Sequence, residues 1–175
     1  MKEKKFEPKD ITLIALLATI IFVQEQLLAF LPNIQLTVFL FVLYSKKIGF
    51  VRTSIICLIH VVLDNMVFGG FNIFYMPFMF VGWLIIPITL NTLFKKVESN
   101  IVLAFLGIIY ALIYSWLFII PNCFTLNVSF KAYLIADFVW ELLLALSSFI
   151  SILLLYDPVS KIFNNSYFKR ILNKD

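Results

Sequence analysis

The stretch ITLIALLATIIFVQEQLLAFLPNIQLTVFLFVLYSKK, Ile11 to Lys47, decides how this chain folds. Its first 21 residues, Ile11 to Leu31, are almost wholly apolar. At 1.5 Å per residue they are long enough to cross a hydrocarbon core of about 30 Å. The inner half of this run carries Ala15, Ala18 and Thr19, small residues that let another helix approach closely. The outer half carries Gln24, Glu25 and Gln26 in succession. A carboxylate inside a spanning helix costs roughly 3 kcal/mol on insertion scales, so Glu25 is expected to face protein or water rather than lipid. The chain then turns at Leu31-Pro32-Asn33 and re-enters through a short apolar run, Ile34 to Tyr44.

The remainder of the 175 residues continues the theme, with 62% hydrophobic and only 14% charged residues and a mean hydropathy of +1.01. A soluble domain carries about 45–50% apolar and 25% charged residues. The apolar runs are continuous rather than alternating, which predicts an all-α integral membrane protein and excludes a β-barrel. The net charge of +4 does not indicate a nucleic-acid partner, because the basic residues cluster at the ends of apolar runs. Lys2, Lys4, Lys5 and Lys9 precede the first; Lys46, Lys47 and Arg52 follow the second; Lys95 and Lys96 follow the fourth; Lys161, Lys169, Arg170 and Lys174 follow the last. Of the 14 basic residues only Lys131 falls on the opposite side. Basic residues concentrate on the cytosolic side, so both termini are expected there and the number of spans is even.

Six spans are predicted, at 11–31, 34–44, 48–68, 73–94, 101–120 and 132–156, packed as one compact bundle over residues 1–175. Residues 1–10 form a cytosolic N-terminus. The second span is short for a full crossing and is expected to be tilted or sheltered. Phe68-Gly69-Gly70-Phe71-Asn72 reads as a tight outer turn, and 121–131 as the longest outer loop. Asp157-Pro158 is expected to end the last span, and residues 158–175 to form an amphipathic helix on the cytosolic surface. The first run is too long for a signal peptide and lacks an A-x-A cleavage site, so it is expected to be retained. Cys57 and Cys123 are expected to be too far apart to pair, and neither has metal-ligand spacing.

Four acids fall within predicted spans, namely Glu25, Asp64, Asp137 and Glu141, all in the outer half. Glu25 lies about 9 Å in from Leu31 and Glu141 about 13 Å in from Ala132. Asp137 and Glu141 share a helix face, with Trp140 beside them, so they need a screening cavity, a shared proton or a ligand. Each of these acids is a candidate ligand contact; as structural alternatives, Asp64 could sit at the interface, His60 and Asp64 at i, i+4 could make a helix–helix hydrogen bond, and Asp137 could pair with Lys131. Tyr110 and Tyr114 lie four apart on the fifth span, and Tyr75, Met79 and Trp83 run down one side of the fourth. Together with Trp140 these aromatics suit the walls of a ligand pocket, which is mostly apolar with a few convergent polar groups. The heaviest weight falls on Glu141, where Glu141→Gln is expected to weaken binding by roughly 10- to 150-fold. Walker A, H-E-x-x-H and G-x-S-x-G sequences are all missing, so no ATP site, metal centre or hydrolase is expected, and no cofactor.

The small-residue first helix, the run Leu31-Pro32-Asn33-Ile34-Gln35-Leu36-Thr37 and the compact helix ending in Tyr44-Ser45-Lys46-Lys47 resemble the substrate-binding S components of energy-coupling factor (ECF) transporters. That resemblance implies a membrane receptor for a vitamin or related micronutrient, without enzymatic activity of its own, in a bacterial plasma membrane. It further implies docking on a transmembrane coupling subunit driven by two cytosolic ATPases. The family's Ala-x-x-x-Ala contact pattern corresponds here to Ala15-x-x-x-Thr19, with Ala18 adjacent. The family's ligand site, built mainly from spans four to six and outer loops, corresponds to the region of Trp83, Tyr110, Tyr114, Asp137, Trp140 and Glu141. Two other readings of a short six-span chain are a scaffold of the cell-wall elongation machinery and a dimeric secondary carrier with Asp137 and Glu141 as relay groups. Four intramembrane acids without a basic partner in the outer half disfavour an anionic ligand. They favour a cationic or donor-rich heteroaromatic compound, of which thiamine-like molecules and 7-deazaguanine precursors of queuosine are examples.

Overall fold

The computed structural model describes residues 6–68, 72–165 and 168. Among these residues the chain is entirely helical: α1 (Pro8–Leu28), α2 (Thr37–Lys47), α3 (Phe50–Phe68), α4 (Met76–Asn91), α5 (Asn100–Leu126) and α6 (Phe130–Phe163). The Gly69-Gly70-Phe71 turn, Lys2, Lys4, Lys5 and half of the expected amphipathic tail lie outside the described residues. Four helices, α1, α3, α5 and α6, are long and apolar enough to cross a membrane. At 11 and 16 residues, α2 and α4 extend about 16 and 24 Å, less than the roughly 30 Å of a hydrocarbon core.

The short helix is the centre of the molecule. Every residue of α2 from Thr37 to Ser45 is buried. Around it α1, α3, α4, α5 and α6 stand in that order, each packed on the next, while α1 and α6 are not closely packed on each other. The ring is therefore open along one side, where α1 and α6 flank α2 without close packing. A helix apolar on all faces avoids water either by facing lipid or by being enclosed in this way. In contrast, α1 buries one stripe, Asp10, Leu13, Ile14, Leu17, Ala18 and Ile21, at the i, i+3, i+4 spacing of a single face. Its other face, with Ile11, Leu16, Ile20 and Leu27, is exposed.

The helix limits depart from the sequence expectation at several ends, α2 and α4 each by three residues at both ends, and three departures have a clear local cause. First, α1 begins at Pro8, ahead of the apolar run, because proline suits the first turn and Glu7 and Asp10 close a reciprocal capping box. Second, α5 runs through Pro121 to Leu126, so the expected 121–131 loop contracts to 127–129. Pro121 removes one backbone donor but leaves the helix intact around it, and Asn127 ends the helix in the left-handed conformation at φ 53°. Third, α6 does not stop at Asp157-Pro158 and continues to Phe163. Its start is capped by the Ser129 hydroxyl, which accepts from the Ala132 amide. Between α2 and α3 the chain reverses at Gly49, whose φ of +84° is the region glycine adopts without steric cost.

Polar contacts gather at the end of the bundle that holds Lys46, Arg52 and Lys95. Lys46 Nζ donates to the carbonyls of Phe94 (2.9 Å) and Lys95 (3.1 Å), which terminates the turns after α4. Asn100 Nδ2 donates to Asp157 Oδ2 at 2.9 Å, joining the start of α5 to α6. Asp10, which the sequence left without a role, is only 4% exposed. Its Oδ1 accepts from Arg52 Nη2 at 2.7 Å and Nε at 3.0 Å, tying α1 to α3. Breaking a buried ion pair from one side strands the other charge. Arg52→Met is expected to lower unfolding stability by about 3 kcal/mol, and Asp10→Asn added to it should restore most of the loss in a thermal melt of the detergent-solubilised chain.

Candidate functional site

At the end of the bundle away from Lys46 and Arg52 lies a cavity of about 340 Å³. It arises above α2 because that helix begins only at Thr37, well short of the length of its neighbours. Its walls are the last turn of α1 with Glu25, His60 and Asp64 of α3, Trp83 of α4 and Tyr114 of α5. The connection from Ala29 to Gln35 covers it. Phe41 of α2 stands beneath, with its ring 5.6 Å from His60 and 5.2 Å from Trp83.

The polar triplet of α1 explains how the cover is held. The Thr37 hydroxyl, fully buried, donates to Glu25 Oε1 at 2.6 Å and accepts from Gln24 Nε2 at 2.8 Å. Gln24 Oε1 accepts from the Leu36 amide at 2.9 Å, one of the otherwise unpaired donors at the start of α2. Across the open side of the ring, the Gln35 amide donates to Ser147 Oγ (3.1 Å) and Ser147 Oγ donates back to the Gln35 carbonyl (2.9 Å). Asn33, in the left-handed conformation at φ 59°, donates through Nδ2 to the Trp140 carbonyl at 3.0 Å. The connection is thus fastened to α1 on one side and to α6 on the other.

Three atoms of the lining are buried and have no hydrogen-bond partner: Glu25 Oε2, His60 Nδ1 and Trp83 Nε1. The first two face each other at 3.5 Å, at the outer limit of a hydrogen bond. The indole of Trp83 stacks on the Tyr114 ring, with centroids 4.0 Å apart and planes at 27°. The phenol oxygen lies near the indole N–H, but stacked rings cannot align the two, and Nε1 stays unpaired. Each such buried atom costs about 1–3 kcal/mol relative to its satisfied state. Asp64 adds a second carboxylate, with no hydrogen-bond partner among the described residues, and no lysine or arginine lines the cavity. The arrangement can receive hydrogen-bond donors and positive charge against an aromatic wall. Groups of three or more metal-ligating side chains are not found among the described residues.

The residues singled out from sequence divide into two sets. Glu25, Asp64, Trp83 and Tyr114 come together around the cavity. Tyr75, Tyr110, Asp137, Trp140 and Glu141 do not line it. Tyr75 donates to Asn122 Oδ1 at 2.8 Å, and Tyr110 shares a 2.8 Å hydrogen bond with Thr89. Glu141 is buried on the side of α6 that faces α5, beside Trp116, with Oε1 unpaired. Asp137 makes no ion pair with Lys131 and lies near Tyr133, while the Trp140 side chain is exposed. His60 does not bond Asp64, the pairing its spacing suggested, and turns to Glu25 instead. The roles of Gln24, Asn33, Gln35, Thr37 and Ser147 were not foreseen. The signal for them was present only in part, as the polar triplet in α1. On α1 itself Ala15 and Thr19 are exposed, with the Thr19 hydroxyl satisfied by the Ala15 carbonyl at 2.9 Å. Ala18 faces inward at 2% exposure and packs in the chain's own core.

No protein-family model, curated protein or solved structure matches this chain.

Thr37→Val keeps the shape of the side chain but removes the hydroxyl that joins Gln24 and Glu25. It should cost about 2 kcal/mol in unfolding stability, and Thr37→Ser much less, as read by thermal unfolding of the two variants side by side. A Cβ at Gly82 would meet Tyr114 Cδ2 at 2.7 Å. Gly82→Ala should therefore displace the Tyr114 ring from Trp83 and shift the tryptophan emission spectrum of the purified chain.

Proposed function

We propose that this chain is the substrate-binding S component of an ECF-type importer, a bacterial plasma-membrane receptor for a vitamin or related micronutrient. The single observation that carries the reading is the acidic, aromatic-walled cavity at the end of the bundle away from its basic residues. It combines volume for a small molecule, two carboxylates and a stacked aromatic pair, the features of a small-molecule site. In this reading all six helices lie in the membrane, α2 and α4 sheltered by the longer ones, with both termini cytosolic and the cavity toward the outside. The ligand is a cationic or donor-rich heteroaromatic compound, since the lining offers acceptors and π-faces without a basic side chain.

The exposed face of α1 supports the second half of the reading. Ala15 and Thr19 form a shallow step among Ile11, Leu16 and Ile20, where a helix of a coupling subunit could approach closely. Transport would then be driven by two ATPases outside this chain. A scaffold protein of the cell-wall machinery has no use for a cavity whose polar atoms are left unpaired.

Two outcomes are expected. Ligand taken up by vesicles should require the coupling subunit and ATPases together with this chain, and uptake at an equal rate by the chain alone would overturn the assignment. Ala15→Trp should reduce co-purification of the coupling subunit at least severalfold while leaving ligand affinity unchanged, because Ala15 points away from the cavity.

A further inference from the structure

The three unpaired atoms of the cavity say more about the ligand than its charge. Thr37 donates to Glu25 Oε1, so the second oxygen, Oε2, is oriented, and as part of a carboxylate it can only accept. Trp83 Nε1 can only donate. His60 Nδ1 stands 3.5 Å from Glu25 Oε2 and can do either, according to its tautomer. Trp83 and His60 rings lie 5.8 Å apart, and both residues are about 1% exposed. One fixed acceptor and one fixed donor therefore converge on the same small space, against the stacked face of Trp83 and Tyr114.

We propose, resting on the receptor reading above, that this site recognises a planar nitrogen heterocycle, neutral or cationic, through one edge that presents an N–H donor to Glu25 Oε2 and an acceptor to Trp83 Nε1. His60 closes the edge between them, and Asp64 takes any positive charge carried by the rest of the molecule. A carboxylate or phosphate on that edge would face Glu25 and Asp64 without a compensating cation, so anionic ligands are rejected at the same atoms. Satisfying three buried polar groups at once makes such a site discriminating, since an analogue that lacks the matching atom leaves them unpaired again.

The test changes the ligand before it changes the protein. The full chain in phospholipid nanodiscs is titrated calorimetrically with thiamine and with guanine, two probes that carry an adjacent donor and acceptor on one ring edge. Oxythiamine, which exchanges the amino donor for a carbonyl, and 1-methylguanine, which blocks the ring N–H, serve as edge-altered partners, and biotin as an anionic contrast. At least one of the two parent probes is expected to bind saturably, its edge-altered partner roughly 10-fold or more weakly, and biotin not at all. Glu25→Gln and Trp83→Phe should each weaken the same probe by a similar factor. Failure of both parent probes to bind, equal affinity for parent and edge-altered partner, or tighter binding of biotin would each overturn the proposal. The receptor reading falls on a separate result, uptake without ATPases, so a chain that needs ATPases but prefers biotin keeps that reading and loses this one.

Discussion

Much of this structure depends on one hydroxyl group. Thr37 is fully buried where α1, the cover of the cavity and α2 meet, and its oxygen is bonded to both Gln24 and Glu25. Gln24 then serves the Leu36 amide. These contacts start α2 at the right depth, hold the connecting segment over the cavity and orient a carboxylate. Inside a low-dielectric bundle they are strong because no water competes, and costly to break for the same reason.

The length of α2 turns that junction into a cavity. An enclosed helix of 11 residues fills only about half the thickness its neighbours span. Side chains of α1, α3, α4 and α5 that would otherwise pack on it face one another across a gap. Where the gap is lined by Glu25, His60, Asp64 and Trp83 it cannot close hydrophobically, because that would seal polar atoms without partners. The cavity is thus kept open by chemistry as well as by geometry. Sites that recognise small molecules often carry such unsatisfied groups, destabilising by themselves and corrected on binding.

The open side of the helical ring gives the cover its second anchor. Since α1 and α6 are not closely packed on each other, the segment from Ala29 to Gln35 bridges them beyond the start of α2, through Ser147 and the Trp140 carbonyl. The outer face of α1 stays exposed, with Ala15 and Thr19 at its surface, while Ala18 is absorbed by the core. A three-residue cluster of small side chains in sequence is therefore split by the helix into one buried residue and two exposed ones. The 100° step between neighbours decides which residue goes where.

What the sequence by itself determined is the class of structure and the existence of a polar locus at the end of α1. Long continuous apolar runs dictate helices, because a backbone out of water is satisfied either within a helical segment or in a closed barrel, and barrel strands alternate. Gln24-Glu25-Gln26 stood out for being misplaced in such a run. Tertiary structure alone decided which acids share a cavity. Glu141, deep in α6 and prominent in sequence, points at α5, whereas Glu25, Asp64 and His60 meet across two helices far apart in the chain. Helical spacing reports neighbours on one helix, such as Asp137 with Glu141 or His60 with Asp64. It carries no information on which face turns toward which partner helix. That is set by the packing of five helices around α2, where the best burial of apolar surface, not the pairing of any two charges, fixes each rotation.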